Sequence, residues 1–288
     1  MTLLAALLLA AQDVEALRAL GAEVTSKDGA ITRVSFKDCA KLGEGEYRML
    51  GGIRTLKALT LYGGKKTLTD ATLPLLAGLT DLEELNTEGT HLSDAGLAGF
   101  AVFKNVKSMS FYHPSLDLKG FDGSGFAALK DLPKLERLTI AGTRADDRLL
   151  AAVAQLPQLK DFRTWHTHQS QAGNAALERL ANLRTLRLGQ RLRRWDGSSN
   201  ALSLDDATLD VLSRLPTLEA LTLDEAKLSL DALLKLKALP KLRKLELLRI
   251  DIPAEDVEKL KAALPDAKLE WKPLTDEERQ KLAAYLKS

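Results

Sequence analysis

One hydrophobic pattern, leucine-x-x-leucine-x-leucine, recurs along most of the chain. Its clearest copies begin at Leu56, Leu135, Leu183, Leu218 and Leu242. Weaker copies, with another residue at one or more of the leucine positions, begin at Ile31, Leu82, Val106 and Leu159, and Leu269 and Trp271 end the series. Five of the eight intervals from Ile31 to Leu242 fall within one residue of 24. A fixed period of this length predicts a solenoid of stacked repeats.

The second half of several repeats has the pattern of a helix start. Leu68–Leu73, Leu92–Leu97 and Leu204–Leu209 each place Thr, Ser or Asp before an apolar stretch. Side-chain oxygens of these residues accept hydrogen bonds from the first free N–H groups of a helix. Each unit is therefore predicted to run strand, loop, helix, loop.

This arrangement resembles the leucine-rich-repeat family over residues 31 to 272, and in particular bacterial repeats with Thr/Ser-Asp helix starts and about 24 residues. The resemblance implies an α/β solenoid, a right-handed horseshoe or arc with parallel strands on the concave face and short helices on the convex face. It also implies an interaction module. Many family members carry Asn at the ninth position of each repeat, where this chain has Thr90, Thr143 and other residues. No precise curvature is therefore predicted.

Both ends of the array are expected to be closed. Residues 1–12 read either as a signal peptide or as the start of an N-terminal capping helix, because their apolar run lacks a preceding positive charge and is too short to span a bilayer. Cleavage would imply a periplasmic or secreted protein, and its absence a cytoplasmic one. Residues 13–30 are predicted to be an N-terminal cap that ends in a hairpin at Asp28-Gly29, and residues 273–288 a C-terminal capping helix with a Thr275/Glu278 capping box.

Composition and motifs limit the function. The chain has 288 residues and a net charge of +2, which gives no global field for nucleic acid. Its single cysteine, Cys39, excludes an internal disulfide framework, a cysteine-rich zinc site and a c-type haem, and is expected in the core. No nucleophile elbow, phosphate-binding loop, dinucleotide fingerprint or zinc-protease motif is present. We expect a monomer that is not an enzyme, has no cofactor and no membrane span, and binds an unidentified protein or peptide.

The expected binding surface is the concave face together with the loops that follow the strands. Side chains between the leucines point out of the core, and aromatic residues and arginines dominate interface energetics. An insertion at 190–200 adds basic and aromatic residues suited to an acidic or aromatic ligand. Ordinary edge packing of Tyr112 and a solvated loop at 190–200 are the alternatives. The candidate binding residues are Tyr112, Arg163, Trp165, His166, His168, Arg187, Arg191, Arg193, Arg194 and Trp195.

A second hypothesis places a hydrolase or metal site at the His166/His168 loop. All four histidines follow strands. His113 stands two repeats from His166, about 10 Å at the usual strand spacing, which is awkward for one tetrahedral centre.

Overall fold

The computed structural model describes residues 13–64, 66–192 and 201–287. The chain divides into two compact units. The first contains the described residues up to Phe121 together with Gly125–Ile140, and the second contains Asp122–Ser124 and the residues from Ala141 onward.

The described part of the first unit starts with a helix and a hairpin, and the predicted signal peptide or capping-helix start at residues 1–12 lies outside it. Residues 13–19 form helix α1, and strands β1 (Ala22–Lys27) and β2 (Ala30–Phe36) pair antiparallel. Asp28 and Gly29 both have positive φ in the turn between them, which confirms the predicted hairpin. The following elements are α2 (Glu44–Gly51), β3 (Ala58–Leu61), a 3₁₀ helix (Leu73–Leu76), β4 (Glu84–Glu88), a 3₁₀ helix (Gly96–Val102), β5 (Ser108–Tyr112), a 3₁₀ helix (Ser124–Asp131) and β6 (Arg137–Ala141), the last two of which reach the division between the units.

The second unit continues the alternation of strands and short helices. Its elements are α3 (Asp147–Val153), β7 (Asp161–Trp165), a 3₁₀ helix (Ala172–Arg179), β8 (Thr185–Gly189), α4 (Thr208–Leu212), β9 (Ala220–Lys227), α5 (Leu230–Leu234), a 3₁₀ helix (Lys235–Ala238), β10 (Lys244–Asp251), α6 (Ala254–Ala263), β11 (Lys268–Trp271) and α7 (Asp276–Lys287).

Within each unit the strands pair in parallel and in chain order after the first hairpin. The repeated apolar positions are aligned by this pairing: Leu186 of β8 lies opposite Phe162 of β7 and Leu221 of β9. All three are buried. Full burial of one such side chain contributes about 1.5–3 kcal/mol to folding. The chain thus has the leucine-rich-repeat fold that the sequence predicts.

The predicted helix starts are present, although two of the three lead into 3₁₀ helices, which are tighter than α-helices. Ser93 Oγ accepts a hydrogen bond from the Gly96 amide at 2.9 Å, and Asp205 Oδ1 accepts one from the Thr208 amide at 3.1 Å. Of the three predicted starts, the one at Asp205 leads into an α-helix, α4. No helix in the described part of the chain has both the length and the apolar character that crossing a bilayer requires. Cys39 is buried, as expected.

A second polar contact connects consecutive repeats on the helical side. At four of the described helix starts, the aspartate accepts a hydrogen bond from a residue at or near the start of the next helical segment. Asp147 accepts from the amide of Ser170 at 2.6 Å and from its hydroxyl at 2.7 Å. Equivalent bonds join Asp70 to Ser93, Asp94 to Gly125, and Asp206 to Ser229. The Thr/Ser-Asp pattern therefore joins neighbouring repeats as well as capping helices.

This contact also explains a glycine. A Cβ atom at Gly173 would lie 2.1 Å from Asp147 Oδ1, closer than any real Cβ contact. Because Ser170 Oγ also accepts from the Gly173 amide at 3.1 Å, the carboxylate, the hydroxyl and the glycine backbone are packed together.

We predict that Asp147→Ala lowers the free energy of unfolding by about 1–2 kcal/mol, because hydrogen bonds to a charged acceptor contribute more than neutral ones. Urea denaturation measures the change. Asp231→Ala is the matched control, since Asp231 is also exposed in the first turn of a helix, and we expect it to cost less than about 0.5 kcal/mol. Equal losses from both variants would show that Asp147 acts only on its own helix.

Candidate functional site

Three of the predicted residues lie together on the outward side of strands β7 and β8. Arg163 and Arg187 are paired across the two strands. The guanidinium carbon of Arg187 lies 4.1 Å from the centre of the Trp165 ring, a cation–π contact. We call Arg163, Trp165 and Arg187 the Trp165 surface.

Gly189 makes room for this arrangement. A Cβ atom at Gly189 would lie 2.5 Å from Trp165 Cβ. Any other residue at this end of β8 would displace the tryptophan from the strand surface.

Arg163 is the most exposed member of the Trp165 surface. Its Nε and Nη2 donate to the two carboxylate oxygens of Asp161 at 3.0 and 2.9 Å. The side chain remains 48% exposed. This bidentate pair holds the guanidinium in a defined orientation at the surface.

A buried carboxylate fixes Arg187 from below. Asp224, at 1% exposure, receives a hydrogen bond from Arg187 Nη2 at 2.6 Å on Oδ2. Its Oδ1 lies 2.7 Å from Arg249 Nη2 in an ion pair that lacks hydrogen-bond geometry. Because leaving one member of a buried ion pair unpaired is costly, Asp224 keeps both guanidinium groups in place.

One residue near the end of each of strands β7, β9 and β10 adopts the left-handed conformation that favours glycine: His166 follows β7, and Glu225 and Arg249 lie within β9 and β10. His166, Glu225 and Arg249 have φ values of 52°, 61° and 47°. Such backbone costs about 1 kcal/mol or more for a residue with a side chain. These strained residues contact one another: His166 Nε2 lies 2.6 Å from Glu225 Oε2, and Arg249 Nε lies 3.2 Å from Glu225 Oε1.

The electrostatics of Glu225 follow from these contacts. Burial raises the pKa of its carboxyl group. The hydrogen bond from His166 and the charges of His166, Arg249 and Arg187 lower the pKa by more, so that it lies below its ordinary value. Glu225 is thus the ionised centre of the three strained residues His166, Glu225 and Arg249, which we call the strained rim.

The C-terminal helix α7 packs beside this rim. The Tyr285 hydroxyl donates to the Arg191 carbonyl oxygen at 2.5 Å, and its ring meets the His166 ring edge-on with centroids 6.1 Å apart. A cavity of about 320 Å³ lies beneath the helix. Its lining includes Glu225, Arg249 and Tyr285. The predicted capping box is present, with hydrogen bonds in both directions between Thr275 and Glu278.

A buried amide supports the base of the 190–200 insertion. Gln190 Oε1 accepts from the Ser203 amide at 2.7 Å, and its Nε2 donates to the Leu204 carbonyl at 3.1 Å. Gln190 is fully buried. One side chain therefore holds the first residue of the insertion beside Ser203 and Leu204, which follow it.

The other candidate binding residues predicted from the sequence are not part of the Trp165 surface. Arg191 is 5% exposed, a degree of burial that the charge pattern of its loop does not indicate. His168 lies beside Asp146, whose pKa is lowered by Arg148 and to a small extent by His168. Tyr112 belongs to the first unit. Arg193, Arg194 and Trp195 lie outside the described residues.

Sequence reasoning missed Asp224, Glu225, Arg249 and Tyr285. A signal existed for Asp224, a carboxylate at an outward strand position. Glu225 and Arg249 stand at the position where other repeats have Gly63, Gly89 and Gly142, all with positive φ. A charged residue in place of glycine at this position is a sequence signal that could have identified both residues.

Searches against known proteins support no closer assignment. No protein-family model and no curated protein matches this sequence. Among solved structures, internalin C2 from Listeria monocytogenes is 18% identical over 81% of this chain and 94% of that chain, with a TM-score of 0.48. A chain of the yeast Rad7–Elc1 complex is 17% identical over 85% and 79%, with a TM-score of 0.41. A chain of the TLR13–ssRNA13 complex is 15% identical over 80% and 30%, with a TM-score of 0.48. The fold assignment therefore rests on the strand register and the buried leucine rows of this chain.

We predict that the stability contributed by Glu225 is lost in acid. Because the folded-state pKa lies below the ordinary value of 4.5, this contribution is fully present above pH 4.5 and disappears as the pH falls through the folded-state pKa. Denaturation of the protein and of Glu225→Gln across this range should show a stability difference that shrinks with decreasing pH. Glu255→Gln, at an exposed position in α6, is the control for the loss of one carboxylate charge. A constant difference for Glu225→Gln would contradict the assigned ionisation.

Proposed function

We propose that this leucine-rich-repeat chain is a non-enzymatic scaffold that binds a protein or peptide through the outward side of its strands and the adjacent loops, with the Trp165 surface as an anchor. The observation that carries the proposal is the Arg187–Trp165 stack. An aromatic ring and two guanidinium groups are presented together on a rigid strand surface.

The chemistry of this surface suits recognition. Tryptophan and arginine are the residues most enriched among interface hot spots. Asp224 and Asp161 already orient the two guanidinium groups, and Gly189 leaves room for the ring. A surface that is ordered before binding loses less conformational entropy when a partner arrives.

A random peptide library displayed on phage and selected on the folded protein supplies binding probes of many chemistries. We predict that Trp165→Ala weakens the selected peptides at least about tenfold, because truncating a central aromatic hot spot costs about 2 kcal/mol or more. Fluorescence anisotropy measures the affinity. Thermal melting followed by circular dichroism tests whether the variant is folded.

Lys237→Ala is the control on the helical side. Lys237 is exposed and enters no ion pair among the described residues, whereas Lys235 pairs with Asp210 at 2.7 Å. We expect less than about a twofold change in affinity. Peptides that lose affinity with Lys237→Ala but not with Trp165→Ala would place binding on the helical side and refute the proposal.

The second candidate function, a hydrolase or metal site at His166 and His168, has one observation in its favour: the short contact between His166 and Glu225. Within the described residues, no group of three or more histidine, cysteine or carboxylate side chains is placed to hold a metal ion. The His166→Ala, His168→Ala double variant separates the two functions. A scaffold retains peptide binding in that variant, whereas a site built on these side chains loses its metal or its activity.

A further inference from the structure

A second surface lies on the first unit, where strands β3, β4 and β5 pair in register. Leu61, Thr87 and Phe111 are aligned across these strands and point into the core. The residues that follow them, Tyr62, Glu88 and Tyr112, therefore form one row on the opposite side. We call this row the tyrosine–glutamate row.

The two tyrosine rings of the row lean toward each other over the strand between them. Their centroids are 6.2 Å apart and their planes meet at 86°. Both side chains are partly exposed. Two aromatic rings at a right angle form a corner that presents π-electron density to a bound group.

Glu88 is held in position within this corner. Its Oε2 accepts a hydrogen bond from the Gly63 amide at 3.1 Å, and its Oε1 lies 3.5 Å from His113 Nδ1. The side chain remains 34% exposed. A carboxylate fixed by a backbone amide needs no reorganisation to receive a cation.

The surrounding face carries excess negative charge. Glu84 stands in the same strand as Glu88, and its nearest base is the exposed Arg33, 3.4 Å away. Burial, together with the neighbouring groups Tyr112, Glu88 and Glu84, raises the pKa of the Tyr62 hydroxyl. The other outward positions of the three strands are Ala58, Thr60, Asn86, Ser108 and Ser110, none of which is basic.

We propose that the tyrosine–glutamate row, with Glu84 beside it, binds the lysine or arginine side chain of an extended basic segment of a partner protein. The rings would stack on the cation and Glu88 would balance its charge. The hydroxyl and amide side chains of Thr60, Asn86 and Ser110 line the same face and suit a peptide backbone. This inference rests on the proposed scaffold function and adds the chemistry of the partner.

The test uses a capped peptide in which lysines alternate with glycines, and two control peptides with glutamine or glutamate in place of lysine. Nuclear magnetic resonance of the protein labelled on its tyrosine rings follows the titration. The chain has four tyrosines, of which Tyr47 is buried and Tyr285 lies in α7. We expect the lysine peptide to shift the signals of Tyr62 and Tyr112 and to leave that of Tyr285 unchanged.

Four variants separate the contributions of the ring, the hydroxyl and the charge. Tyr112→Leu should weaken the lysine peptide about threefold, the size of an exposed cation–π contact, whereas Tyr112→Phe keeps the ring and should retain the affinity. Glu88→Gln, which can still accept the Gly63 hydrogen bond, should weaken it by a similar factor. Asp131→Asn removes the same charge from the exposed end of a 3₁₀ helix and should change nothing.

Equal binding of the lysine and glutamine peptides would overturn the inference, as would equal losses from Glu88→Gln and Asp131→Asn. Equal losses from Tyr112→Leu and Tyr112→Phe would assign binding to the hydroxyl rather than to the ring and also overturn it. Failure of the scaffold function itself has a different signature. If the scaffold function fails, phage selection yields no peptide sensitive to Trp165→Ala. If only the present inference fails, the selected peptides still bind the protein, but the lysine peptide leaves the signals of Tyr62 and Tyr112 unchanged.

Discussion

No single repeat of this chain buries its own leucines, so every repeat depends on the parallel strand beside it. Leu186 stands between Phe162 and Leu221 of the neighbouring strands, and all three are buried. This shared core sets the strand register, and the register in turn sets what appears on the outer side. The alignment of Arg163 with Arg187, and of Glu88 with Tyr112, follows from the buried residues beside them.

Ion pairs then orient the side chains that the strand register brings together. Asp224 is buried between Arg187 and Arg249, and removing Asp224 deprives Arg187 of this carboxylate partner. The same contact orients Arg187 over Trp165. A core ion pair and an outward-facing aromatic surface are therefore parts of one structure, and a change to the surface is felt in the interior.

The sequence was sufficient to predict features that are formed by residues close along the chain or that repeat with the leucine period. The hairpin at Asp28-Gly29, the strands and the capping role of Ser93 belong to this class. The sequence was insufficient where the partner is distant. Tyr285 bonds to Arg191 and His166 contacts Glu225, and neither pair shares a repeat. The burial of Arg191 was also beyond the sequence, because a local pattern of charge does not reveal packing.

The left-handed residues at the rim have a consequence for anyone who engineers this chain. Glycine would relieve the backbone at His166, Glu225 and Arg249, as it does at Gly63, Gly89 and Gly142. Each such replacement also deletes a member of the charged network around Asp224 and Glu225. A search for thermostable variants would therefore encounter opposing effects at these positions, and the sign of the stability change at each one would show whether relief of the backbone or loss of the ion pair is larger.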